Sequence, residues 1–184
     1  ADAEASAPEA AKLEPVVHGF FIEAGLGGGY MVVNHKASPT STFPTLSGSE
    51  GYGAGTSVNF ALGYEISPLL ALELFGGTNM VSGTNPPAPG WVRDLAMIYG
   101  GAALRLAVLL DERLNLLVSA GGGLAKADNG VEKAESGPAA MVDVGLEYYV
   151  HVRHFAVSLD AQVLAPLSPS RVFVSLWPKL KYTF

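Results

Sequence analysis

Eight times along this chain, apolar residues return at every second position over long runs. A period of two belongs to the β-strand, whose side chains point alternately to opposite faces, so the chain is constrained to pleated sheet before anything else is considered. In VVHGFFIEAGLGGGYMVV, Phe20, Ile22, Ala24, Leu26, Tyr30 and Val32 share one face, and Gly19, Glu23, Gly25, Gly27 and Gly29 share the other. One side is greasy and the other small or charged.

The same division holds further on. Thr56, Val58, Phe60, Leu62, Tyr64 and Ile66 stand opposite Ser57, Asn59, Ala61, Gly63 and Glu65; Leu70, Leu72 and Leu74 stand opposite Glu73, Phe75 and Asn79. Ile98, Ala102, Leu104, Leu106 and Val108 oppose Tyr99, Ala103 and Arg105, and Leu114, Leu116, Val118 and Leu124 oppose Asn115, Leu117 and Ser119. Val142, Val144, Leu146, Tyr148 and Val150 oppose Asp143, Gly145 and Glu147, and Phe155, Val157, Leu159 and Val163 oppose Ser158, Asp160 and Gln162. The last strand runs from about Val172 to Phe184. Its connections alternate in length: those near 34–52, 83–94 and 126–138 are long and rich in Pro, Gly, Ser and Asn, while those at 67–69, 110–113 and 151–154 are short. The seventh, APLSPSR at 165–171, is short where a long one is due.

A soluble antiparallel sheet also alternates, with its apolar face on a core and its polar face in water. Two features argue for a membrane instead. The polar face is rich in Gly, Ala and Ser, which suits a cramped lumen better than open solvent. The strands are also longer than the usual ~5–6 residues and close to the ~9–11 that cross a bilayer at a tilt. Hydrocarbon demands that every backbone N–H and C=O be paired, so a sheet crosses only as a closed barrel. Eight strands enclose a lumen just wide enough to be filled by side chains, and Phe75, Tyr99 and Trp177 point into it. The prediction is an all-β, eight-stranded antiparallel up-and-down transmembrane β-barrel over 16–184, preceded by a flexible tail at 1–15 that is rich in Ala, Glu and Pro.

Charge placement tests that register, since a base facing lipid at mid-membrane costs roughly 2–4 kcal/mol. Glu23, Glu65, Glu73, Asp143, Glu147 and Asp160 all fall on the inward set, with Arg105, Lys179 and Lys181 as candidate partners. These nine form the expected lumen charge network. Closure brings the last strand beside the first, so Lys179 or Lys181 is expected near Glu23. Outward aromatics Phe20, Tyr64, Tyr148 and Phe155, with Tyr182 and Phe184, cluster by the termini and short turns, where they form an interfacial girdle.

The chain ends WPKLKYTF, with Phe184 last, Tyr182 two residues before it and Leu180 two before that. This pattern resembles the C-terminal insertion signal of bacterial outer-membrane barrels. The region 16–184 is similar to the small eight-stranded class typified by the OmpA membrane domain and OmpX. That resemblance implies signal-directed export with the signal peptide removed, periplasmic termini and short turns, external long loops, and insertion by the barrel-assembly machinery. It also implies contact with outer-membrane lipid and lipopolysaccharide in a Gram-negative envelope. Pro178 departs from the ideal, because it removes a ladder donor, and a bulge or weak seam is expected there.

Other chemistries find little support. The chain has no cysteine, which excludes disulfides and thiolate metal sites, and its net charge of −6 with scattered bases argues against nucleic acid. GLGGG at 25–29 lacks a following Lys-Ser/Thr and reads as strand glycines. His151 and His154 flank Arg153 in a short turn and read as solvated. Asp128, Glu132 and Glu135 lack calcium-loop spacing. No cofactor is expected. Some barrels of this size are lipid A enzymes, for which His35, Ser47 and Glu50 are the available set, in a segment that fixes no geometry. The function expected is that of a non-enzymatic structural or partner-binding component of the cell envelope. Surface recognition or adhesion through 34–52, with Phe43 and Tyr52, is one form; membership of an envelope-spanning machine such as a surface-motility apparatus is another. The alternatives are a narrow pore for small solutes and, behind it, a lipid A-modifying enzyme.

Overall fold

A computed structural model describes residues 18–34, 52–83, 94–128, 134–150, 154–167 and 171–184. The pattern of alternating faces becomes eight strands: β1 Phe20–Asn34, β2 Tyr52–Ser67, β3 Leu70–Gly83, β4 Leu95–Asp111, β5 Leu114–Asp128, β6 Glu135–Tyr149, β7 Phe155–Pro166 and β8 Arg171–Thr183. Each pairs antiparallel with its chain neighbours, and β1 pairs with β8, so the sheet closes into a barrel with no free edge. Both ends of the described chain, the β2–β3 and β4–β5 turns, the end of β6 and the start of β7 lie at one rim, the turn end. The opposite strand ends form the other rim, the loop end.

The outer surface is an apolar belt. Phe60, Leu62, Leu74, Leu104, Val144, Leu146, Leu159, Leu176 and Leu180 all stand exposed on it. On a soluble protein a belt of this extent would drive aggregation, whereas in a bilayer the acyl chains cover it. Among the described residues no helix is long and apolar enough to cross a membrane.

The inner surface is crowded, and glycine makes the crowding possible. A Cβ on Gly63 would fall 2.2 Å from the Phe21 ring. On Gly123 it would fall 2.0 Å from the carbonyl oxygen of Gly100, because β4 and β5 approach too closely for any side chain there.

Two expectations need correction, and a third holds in one of its two forms. The connection predicted at 126–138 is shorter: β5 continues to Asp128 and β6 starts at Glu135, Ala127 pairing with Glu135 and Leu124 with Pro138. Small residues and a proline there mask a ladder that long-range pairing extends. The weak seam expected at Pro178 is present, without a bulge. The β1–β8 register is the same on both sides of it, Gly25 facing Lys179 and Gly28 facing Leu176, and only the pairing between those points lapses. Proline supplies no N–H, and Gly27 lets β8 lie close, since a Cβ there would sit 2.1 Å from the Leu176 carbonyl oxygen. The register shift lies between Met31 and Val33 instead. Finally, the inward face is not small or polar throughout. At the loop end it is apolar, as described below.

Candidate functional site in the barrel lumen

The lumen is built in three levels. At the turn end, β1, β2, β3, β4, β6, β7 and β8 each send charge inward. Arg105 forks onto Glu23, Nη2 donating to Oε2 at 2.7 Å and Nη1 to Oε1, and Nη2 also lies 2.5 Å from Glu73 Oε2. Its guanidinium rides 5.1 Å from the centre of the Phe21 ring, a cation–π contact made where water is excluded.

Lys179 contacts Asp160, and reaches Asp143 at 3.5 Å and Glu23 at 3.9 Å. Lys181 lies opposite Glu23 in register, yet its ammonium turns to Glu65 at 2.5 Å, to Glu147 at 3.2 Å and to the Tyr149 hydroxyl at 3.0 Å. Glu65 also meets His18 Nδ1 at 2.8 Å at the rim. The nine charged residues read from the sequence all lie on the inward row, in two ion-paired groups: Arg105 and Lys179 share Glu23, while Lys181 holds Glu65 and Glu147, and the Phe21 ring lies against both Arg105 and Lys181. Glu23 takes Arg105 as its main partner, from across the barrel, rather than a neighbouring lysine. Placing six carboxylates beside three bases in a dry interior carries a large desolvation cost, which only such multiple pairing offsets.

Sequence reading missed several members. Tyr149 supplies its hydroxyl to Lys181, Phe21 its ring face to both Arg105 and Lys181, and buried Arg113 donates to the Val150 carbonyl at 2.6 Å. Phe21 and Tyr149 carry a legible signal, being aromatics on the inward parity.

The middle level is polar and uncharged. The Ser57 hydroxyl donates to Asn79 Oδ1, the Ser175 hydroxyl donates to the same oxygen at 3.3 Å, and the two hydroxyls lie 3.2 Å apart. Asn59 donates to the Tyr99 hydroxyl at 3.4 Å. Trp177, completely buried, fills the space beside them.

The loop-end level is an apolar cap. Met31, Val81, Leu95, Met97, Met141, Leu164 and Phe173 are 0–2% exposed and pack together across the lumen. Below this cap, ions and hydrogen bonds hold the walls; within it, dispersion and burial do.

On the outer surface at the turn end, Phe20 packs on Tyr64 with ring centres 4.7 Å apart, and Tyr182 packs on Phe155 at 4.9 Å and on Phe184 at 5.0 Å. Tyr148 is exposed on the same face. Leu180, Tyr182 and Phe184 share that outward row on β8 and its end, with Leu180 and Phe184 exposed. His154 Nδ1 contacts the Thr183 carbonyl at 2.6 Å and its ring stacks on Tyr182, so it is tied into the rim. Glu135 lies 3.4 Å from Arg171, and Asp128 ends β5. His35, Phe43, Ser47, Glu50, Glu132, His151 and Arg153 lie outside the described residues, as does the tail at 1–15. Among the described residues, no group of three or more His, Asp or Glu could hold a metal ion.

No protein-family model matches the chain, and no curated relative matches it. Solved structures do. Neisserial surface protein A superposes with a TM-score of 0.66 at 14% identity, over 90% of this chain and 97% of that one. The outer membrane protein OprG of Pseudomonas aeruginosa gives 0.56 at 11% identity over 92% and 98%. Ail, the attachment invasion locus protein of Yersinia pestis, gives 0.54 at 13% identity over 91% and 100%. The chain therefore has the fold of the small eight-stranded outer-membrane barrels.

Proposed function

We propose that this chain works as a non-enzymatic, plugged barrel of the outer membrane, with its termini and short turns on the periplasmic side. Its role on this reading is partner binding or surface recognition through the loop-end connections. The carrying observation is the sealed cap. Phe173, Met31 and Met97 are essentially inaccessible at the loop end, and Trp177 is inaccessible below them, which supports a scaffold rather than a conduit. A scaffold of this kind displays its connections on a rigid rim, and function concentrates in such connections. The fold shared with Ail, a protein named for attachment, is compatible with recognition on this scaffold. The partners that fit are lipopolysaccharide and lipid around the belt, the barrel-assembly machinery during insertion, and an unidentified protein at the loop rim or the periplasmic face.

The test is conductance in a planar bilayer, followed by cross-linking in cells from 34–52. The plugged reading expects no steady current and a defined protein adduct. A large, steady conductance would replace it with the pore. The enzyme alternative is checked separately by His35→Ala, which is expected to leave the lipid A pattern of the cells unchanged.

A further inference from the structure

Around the turn-end rim the ladders do not stop level. On one flank of the β4–β5 hairpin they run to its tip, where the Tyr149 N–H donates to the Arg113 carbonyl at 2.9 Å. On the other flank they stop early. β3 begins at Leu70, opposite Leu106, and among the described residues the last bond on that side runs from the Ala107 N–H to the Leu69 carbonyl. The Leu69 N–H turns back onto Ser67 Oγ at 3.3 Å and closes the β2–β3 turn there. β4 itself continues to Asp111. Backbone groups of an antiparallel strand point alternately to its two neighbours, so those of Leu109, two residues past Ala107, face the side that β3 no longer covers.

Side chains add to this bare edge. Leu109 has the inward parity of Arg105, yet it is 63% exposed because the strand has outrun the wall. Leu69, on the turn beside it, is 59% exposed, and Leu110 is exposed on the opposite face of β4. Asp111 and Glu112 follow at the tip, both exposed, and the Glu112 N–H donates to Asp111 Oδ1 at 2.7 Å, which fixes the turn. The base of the tip, Arg113, is buried and donates to the Val150 carbonyl.

These features select an occupant. A lipid chain offers no hydrogen bond to the Leu109 backbone and no cation to Asp111 and Glu112. An extended polypeptide offers both, because an open strand edge is a template for pairing and the side chains on either face of it set the preference. We propose that the projecting end of β4 is a docking edge for an extended, basic segment of a periplasmic protein. The segment adds beside residues 107–111 as a short further strand, lays apolar side chains on Leu69 and Leu109, and brings lysine or arginine to Asp111 and Glu112. Such a partner requires the periplasmic placement of the short turns proposed above.

The experiment titrates the whole barrel, in phosphatidylcholine nanodiscs, with a synthetic Lys-Leu-Lys-Leu-Lys peptide and follows backbone amides by NMR. Saturable binding is expected, with hydrogen exchange slowed about fivefold or more at the Leu109 amide and unchanged at Tyr149 on the covered flank. Asp111→Lys with Glu112→Lys should weaken binding roughly tenfold. So should Leu109→Pro, which deletes the edge N–H and spares the β4–β5 ladder. Binding that survives both variants overturns the proposal, as does protection spread evenly around the rim. NOEs from the Leu109 methyls to lipid chains, without contact to the peptide, also overturn it, because the edge is then a lipid-facing one. If either variant fails to fold, the parent titration decides by itself. The placement is tested separately with Glu112→Cys, which gives the chain its single cysteine. A bulky, impermeant maleimide should label it only after the outer membrane is permeabilised. Labelling of intact cells overturns the periplasmic placement and the partner's location with it, whereas failed peptide binding overturns the docking edge alone.

Discussion

The turn-end and loop-end halves of the lumen are walled by the same eight strands and filled by opposite chemistries. In the turn-end half, Arg105, Lys179 and Lys181 each bind two or more carboxylates, and removing any one of these bases strands at least one carboxylate. In the loop-end half, Met31, Met97, Met141, Leu164 and Phe173 interchange contacts freely, because dispersion has no required partner. The difference teaches that closure is specified at one end and sealed at the other. Ion pairs dictate which strand faces which, whereas the cap excludes water by volume alone.

The largest expected effect breaks the charged half. Arg105→Met leaves Glu23 and Glu73 without their guanidinium and should cost about 3–5 kcal/mol in urea unfolding from lipid. Replacing Arg105, Glu23 and Glu73 together by Met turns that site into a copy of the cap. The triple variant should recover most of the loss, because well-packed apolar residues often match a buried ion cluster. If it unfolds as readily as the single variant, the comparison fails.

Next comes the cap. Leu164→Ala should cost roughly 2–5 kcal/mol, depending on how far the neighbouring methionines collapse into the gap. Unlike Arg105→Met, it should be rescued by another apolar residue of similar volume. Gly123→Ala tests the wall between the halves, and overpacking against the Gly100 carbonyl should cost about 1–3 kcal/mol. At outward-facing Gly100, the same change meets a nearest atom at 3.3 Å and should be milder. The smallest effect is at the rim, where His18→Ala removes a partly exposed contact to Glu65 and should cost about 0.2–1 kcal/mol, fading with added salt.

Much of the fold was legible because alternation survives wherever one face meets lipid and the other meets charge. Glu23, Glu73 and Asp160 declare their parity without ambiguity. The cap was not legible, since runs such as YMVV and LAMI are apolar on both faces, and a strand buried on both sides loses its period. Partner choice was hidden for a different reason. Adjacency in register placed Lys181 beside Glu23, but a side chain as long as that of Arg105 reaches across the lumen from a strand that β1 never pairs with.

The lapse in pairing between β1 and β8 has a consequence for local stability. Hydrogen bonds on that joint form two separate runs, Phe21–Gly25 with Lys179–Thr183 near the termini, and Gly28 onward with Leu176 and the residues before it. The seam that closes the cylinder is thereby divided into two short ladders, with the indole of Trp177 beside the gap. Amide hydrogen exchange midway along this joint is therefore expected to outpace exchange in the two runs that flank it.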